Sequence, residues 1–225
     1  MLLPALNNAR EKGRSTSCMS KMKQIGSGGL MYADDYGVLP LANITYHGEW
    51  GALIAPYLGI KGSSYSDIGK NIVKSGIFRC PTNTKSNNGN TWAYPALPES
   101  AGGFSIGWNI FIGDHDGTNG KFYSCQPGKI AKASSVFIAY DCPGNSTDAT
   151  GVYKNGQGFY YQNAGSVTNS ASFAMQLMPR RHGKKFNGIF VDGHAAPNDR
   201  TFMQILSLHF PGYEDSTNMP NLGLQ

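Results

Sequence analysis

Residues 2–36 read LLPALNNAREKGRSTSCMSKMKQIGSGGLMYADDY, and their pattern decides the fold. Cys18, Met22, Ile25, Gly29, Tyr32 and Tyr36 follow one another at steps of three and four, the spacing of one helix face, with Leu6 and Ala9 as weaker earlier members. A helix from Pro4 to Asp35 would be roughly 48 Å long at 1.5 Å per residue, more than a small head needs to cover it. Its first half, Asn7 to Ser17, is almost wholly polar, so only the half from Cys18 onward carries a stripe that can pack on a core. Gly26, Gly28 and Gly29 each cost about 1 kcal/mol against Ala in a helix interior, and they fit a place where a sheet approaches closely. Gly37 and Pro40 then stop the helix. Asp34 and Asp35 fall in its last turn, where the dipole disfavours acid; either a bound cation or hydrogen bonds to the following turn would explain them.

The rest of the chain changes character. Its 29 glycines and 12 prolines, with charged residues at only 15%, suit short strands joined by turns and irregular loops. Glu49 to Leu58 reads as a short helix closed by Gly59, with Pro56 ending its regular part early. Short β-like runs follow at Ile77 to Cys80, Phe104 to Trp108, Lys121 to Ser124, Val136 to Tyr140, Gly158 to Tyr161 and Gly188 to Val191. A last helix is expected at Arg200 to Leu208, with Asn198 and Asp199 as cap candidates. The expected fold class is α+β: residues 1–36 form the helix, and residues 37–225 form a head whose antiparallel sheet packs with it as one domain.

A formal net charge of +5 permits contact with nucleic acid. The basic residues, however, are scattered in small groups (Arg10, Lys12 and Arg14; Lys21 and Lys23; Arg180, Arg181, Lys184 and Lys185) without interleaved stacking aromatics. Solvated faces are expected there, and no nucleic acid partner. No run of about 18 apolar residues occurs. The chain nevertheless opens on Met1-Leu2-Leu3-Pro4-Ala5-Leu6 as if cut from the end of a longer apolar segment.

The densest chemistry lies in residues 180–194, RRHGKKFNGIFVDGH. An apolar run entering Asp192-Gly193 reads as a strand running into a tight turn, the dipeptide supplying the left-handed backbone that a two-residue hairpin needs. His182, Asp192 and His194 could converge at one end of the sheet, with Asp141, ending the Val136 to Tyr140 strand, as a fourth group. Histidine with carboxylate suits zinc or another transition metal, and the same side chains can equally fix a turn by hydrogen bonds alone. Cys18, Cys80, Cys125 and Cys142 show no C-x-x-C spacing. They read either as disulfides, paired Cys18 with Cys80 and Cys125 with Cys142, or as buried free thiols. Residues 114–120, DHDGTNG, lack the spacing of a calcium loop and read as a turn. No G-x-S-x-G elbow, Walker loop or H-E-x-x-H helix is present, so the expectation is a protein that is not an enzyme and has no catalytic residues.

Residues 2–26 and MYADDYGVLP at 31–40 resemble the post-membrane helix of prepilin-type proteins of planctomycete and lentisphaere-like bacteria. IFRCP at 77–81, FSIGWN at 104–109, VFIAYD at 136–141, and a His followed after nine residues by Asp-Gly (His182 to Asp192-Gly193) are similar to that family's landmarks and stand in its order. The resemblance implies a prepilin-peptidase site and an apolar helix ahead of this segment, anchorage in the inner membrane, and a head exposed outside the cytoplasm in the cell envelope. It also implies assembly with other pilin-like subunits through the helix, with secretion-system components or cargo met by the head. Oxidising surroundings would then favour disulfides. Type II secretion pseudopilins, similar in this helix, bind calcium in a head loop, so calcium stands beside zinc as a candidate ion. Two rivals remain: a module binding polysaccharide or a secreted substrate through loops 83–92 and 153–162, and a metal-dependent enzyme at His182, Asp192 and His194.

Overall fold

Helix α1 runs unbroken from Leu2 to Tyr36. The computed structural model describes residues 2–40, 43–44, 48–82, 106–108, 113–116, 121–124, 126–130, 132–141, 182 and 185–198. Residues 3–10 of α1 are exposed throughout. Glu11 and Ser15 are half-buried, and the full stripe begins at Cys18 and continues through Met22, Ile25 and Gly29. Tyr36, expected on that stripe, is instead 64% exposed and stacks on Tyr32 with ring centroids 4.4 Å apart. Gly37 closes the helix with φ +74° and donates its N–H to the Ala33 carbonyl. Among the described residues no helix is long and apolar enough to cross a membrane.

The docked half of α1 lies on a four-stranded antiparallel sheet of order β3-β6-β7-β8, comprising β3 (Ile106–Trp108), β6 (Phe137–Asp141), β7 (Phe186–Phe190) and β8 (Ala195–Asn198). The small residues of α1 set the approach distance. A Cβ added at Gly29 would stand 2.5 Å from the Trp108 ring, and one at Gly26 would overlap Ile189. Both glycines therefore give up helix propensity for contact with the sheet. The resulting α+β architecture, a long N-terminal helix on an antiparallel sheet, agrees with the fold class read from the sequence.

Smaller elements close the core from the side. Strands β1 (Asn43–Ile44) and β2 (Gly48–Glu49) pair and lead into α2 (Trp50–Ile54), which tightens into a 3₁₀ turn at Ala55–Leu58 where Pro56 is placed. Trp50 stacks on Trp108 at 4.9 Å and meets Phe78 edge-on at 5.1 Å, and the Trp108 Nε1–H donates to the Pro40 carbonyl. A further helix, α3 (Tyr65–Ser75), occupies a stretch where the sequence reading placed nothing. Ile77 to Cys80, expected as a strand, is instead the turn that leaves α3. Lys21 holds that turn: its Nζ donates to the carbonyls of Gly76 at 2.8 Å and Arg79 at 2.9 Å, so this lysine is part of the core's edge and not of a solvated face. Strands β4 (Gly113–Asp116) and β5 (Lys121–Ser124) form a separate hairpin. The expected strand at 158–161, the last helix at 200–208 and the loops 83–92 and 153–162 lie outside the described residues.

A candidate metal centre

Where α1 first becomes buried, four segments distant in sequence meet. Cys18 comes from α1, Cys80 from the turn after α3, Asp141 from the end of β6, and His182 from the chain entering β7, where it forms a two-way backbone bridge with Lys185. One ligand atom from each of the four lies within 4.8 Å of every other. Cys18, Cys80 and Asp141 are completely buried and His182 is 7% exposed.

Their contacts are directional. The Cys18 thiol donates to Asp141 Oδ1 at 2.9 Å, and Asp141 Oδ2 accepts the Asn187 backbone N–H at 2.9 Å. His182 Nε2 faces into the cluster, 3.3 Å from Cys80 Sγ and 3.5 Å from Asp141 Oδ2. Its Nδ1 faces outward to Glu11 Oε1 at 3.0 Å and Thr82 Oγ1 at 3.4 Å. In a neutral ring whose Nδ1–H donates to the Glu11 carboxylate, Nε2 presents its lone pair to Cys80 and Asp141; in a protonated ring Nε2–H donates toward them instead.

Confinement of so many acidic groups disturbs all of them. Cys80, burial and the Asp141 charge together push the Cys18 thiol well up, so it keeps its proton. The Cys18 thiol pulls Cys80 down to about 3; burial opposes this, and contacts with His182 and Thr82 assist. Burial and the neighbouring Cys80 raise Asp141 to about 6, against the hydrogen bonds from Cys18 and Asn187. For His182, burial works against the charged form, but Cys80, Asp141 and Glu11 outweigh it and raise the ring's pKa. Two cysteines and a carboxylate buried beside a single histidine make a site richer in groups that carry negative charge than in groups that carry positive charge.

Asp141 and His182 thus stand together, as the sequence reading supposed, while Asp192 and His194 do not join them. Those two sit at the opposite end of β7, in the exposed turn to β8, where His194 Nδ1 is 2.6 Å from Asp192 Oδ1 and its backbone N–H donates to the same oxygen at 3.1 Å. The strand between His182 and Asp192 holds them apart: β7 crosses the sheet from the Asn187 end, beside Asp141, to the Phe190 end, beside Phe137. Gly193 takes φ +86°, the left-handed backbone expected of it. Cys18 and Cys80, expected as one disulfide, are not joined by one in this structure: Cys18 donates to Asp141, and Cys80 lies 3.3 Å from His182 Nε2. Cys125 and Cys142 lie outside the described residues, as do the side chains of the 114–120 loop. Asp35, at the other end of α1, accepts the Tyr57 hydroxyl at 2.6 Å and so holds the 3₁₀ turn.

The family profile described as protein of unknown function (DUF1559) matches residues 7–193. The chain belongs to this family. No curated protein and no solved structure matches it. The DUF1559 family is associated with pilin-like proteins, and the long helix laid on an antiparallel sheet is consistent with that architecture. In this DUF1559 chain the matched span takes in all four clustered side chains together with Glu11 and Asn187.

Sequence reasoning missed the joining of the two cysteines to Asp141 and His182. A cysteine on a helical stripe reads like any small hydrophobe. The available signal was Glu11, a carboxylate two turns before Cys18 on the same face, which marks that face as polar where docking begins.

Proposed function

We propose that the chain is a structural, pilin-like or pseudopilin-like subunit of a cell-envelope secretion or pilus system. The observation that carries this reading is the division of α1: residues 18–36 form one wall of the head's core, while residues 3–10 stand free of it on every side. A helix of this length cannot be stabilised along its first turns by the head alone, and isolated helical turns are marginal in water. The free half suits packing against copies of itself, continued by an apolar segment that precedes it in the full-length precursor and anchors it in the inner membrane. Leu3 and Leu6, 74% and 48% exposed, are the large apolar side chains among residues 3–10. The head then faces the extracytoplasmic side and meets secretion components or cargo. The burial of the four clustered side chains favours a structural role for them over a catalytic one.

Cysteine cross-linking of the full-length precursor in its own host tests this. Ala5→Cys and Ala9→Cys, on the free half, are expected to form adducts with other copies or with pilin-like subunits, whereas Lys61→Cys on the exposed surface of the head forms none of that kind. Adducts at position 61 equal to those at 5 and 9, or none at all in membranes that contain the protein, would contradict the proposal.

A further inference from the structure

We infer that Cys18, Cys80, Asp141 and His182 form a closed four-ligand site for a thiophilic divalent cation, zinc by its donor set, which clamps helix α1 to the head. Two sulfurs, one imidazole nitrogen and one carboxylate oxygen are all zinc donors, and the set differs from a structural site of two cysteines and two histidines by one carboxylate in place of a histidine. Calcium is disfavoured, because it requires six or more oxygens and this set offers one carboxylate. Bond lengths of about 2.0–2.3 Å at tetrahedral angles separate ligand atoms by about 3.3–3.8 Å. The Cys80 Sγ to His182 Nε2 distance is 3.3 Å and the His182 Nε2 to Asp141 Oδ2 distance is 3.5 Å, while the widest separation in the set does not exceed 4.8 Å. Closing on an ion therefore requires movement of about 1 Å or less at any ligand.

The surroundings of the four match what an ion would need. Metal-bound histidines commonly give their second nitrogen to a carboxylate, and His182 Nδ1 meets Glu11 Oε1 at 3.0 Å. The Asp141 oxygen that does not face Cys18 is held by the Asn187 backbone N–H. Lys21 pins the turn that delivers Cys80. Binding displaces the proton that Cys18 now gives to Asp141 Oδ1, so loading releases it to solvent and requires no oxidant. The ligands belong to four segments separated by 62, 61 and 41 positions in the chain (80 − 18, 141 − 80, 182 − 141). An ion there joins α1 to three parts of the head at once. The inference stands apart from the proposed assembly role: a head clamped by zinc need not be a pilin, and a pilin need not hold zinc.

The test is elemental analysis of the whole chain purified without chelator from zinc-supplemented medium, with cobalt reconstitution as a second readout. Stoichiometric zinc is expected, and the cobalt form should show thiolate-to-metal charge transfer together with intense tetrahedral d–d bands. Cys80→Ser and His182→Ala should lose the metal. Glu11→Gln should retain the site with affinity lower by about 10- to 100-fold. Asp192→Ala and His194→Ala should retain it unchanged. Folded wild-type chain without metal, a Cys18–Cys80 disulfide found by mass spectrometry in the absence of reductant, or zinc that survives His182→Ala would each overturn the proposal. Should the ligand variants fail to fold, the wild-type cobalt spectrum decides: bands without thiolate charge transfer would place the metal elsewhere.

Discussion

The two ends of strand β7 each hold an aspartate and a histidine in contact, and the two pairs do different work. At the end near Asn187, Asp141 is completely buried and His182 almost so, and each is bound to groups more than a hundred positions away in the chain: Cys18 for the aspartate, Cys80 and Glu11 for the histidine. At the end past Phe190, the contact joins residues two apart, with side chains 36% exposed for Asp192 and 45% for His194. Sequence proximity made the second pair look like a site. Burial and long-range convergence make the first pair one, because an unpaired polar group is costly only where water is excluded.

Ways to break that difference follow from its cause. The largest effect is expected for Asp141→Ala, which leaves buried partners uncompensated and should cost about 3–5 kcal/mol in urea unfolding; a loss as small as that of an exposed pair would mean that the buried end is not held by its charges. Next, a strong chelator should lower the melting temperature of the wild type and leave Asp141→Ala unmoved, since only a chain that binds the ion gains from it. At the other end, Gly193→Ala forces a side chain into left-handed backbone at φ +86° and brings a Cβ to 3.3 Å from Leu30 Cδ1. It should cost about 1–2 kcal/mol without altering metal content. Asp192→Ala should cost less than about 1 kcal/mol, the range of an exposed pair.

The smallest effect concerns pH. Slight burial opposes it, but the His194 ring and backbone N–H hold the Asp192 carboxyl below its ordinary value. A carboxyl depressed in the folded state contributes stability that is present above its unfolded value, near 3.9, and is lost as pH falls through the folded value. The wild type should therefore lose its small advantage over Asp192→Ala only in that acidic window. An advantage that persisted at the lowest pH would locate it in packing.

How far the sequence went can be judged at particular residues. The stripe from Cys18 to Gly29 announced both the helix and its docked half because periodicity is local and one face of α1 meets a continuous core. Strands β3, β5, β6 and β7 were legible from apolar runs between turn residues, and Gly37 and Gly193 from the backbone they must adopt. Ile77 to Cys80 was misread because Ile77 and Phe78 are apolar for a different reason: Phe78 fills the space against Trp50, and the chain there is a turn fixed by Lys21. Helix α3 was missed because its residues, YSDIGKNIVKS, include two serines and a glycine that read as loop. Half of the candidate site was legible in Asp141 and His182. The other half was not, since no spacing rule connects Cys18 to Cys80, and only the fold brings α1 and the α3 turn to the end of β6.

The most direct test of the account is hydrogen exchange along α1, in the whole chain with and without chelator. Amides of residues 18–36 should exchange far more slowly than those of residues 3–10, and chelation should speed exchange around Cys18 and Met22 while leaving residues 3–10 as they were. Uniform protection from Leu3 to Tyr36 would show that the first half is held by the head after all, and would contradict both the free assembly half and the clamp that marks its boundary.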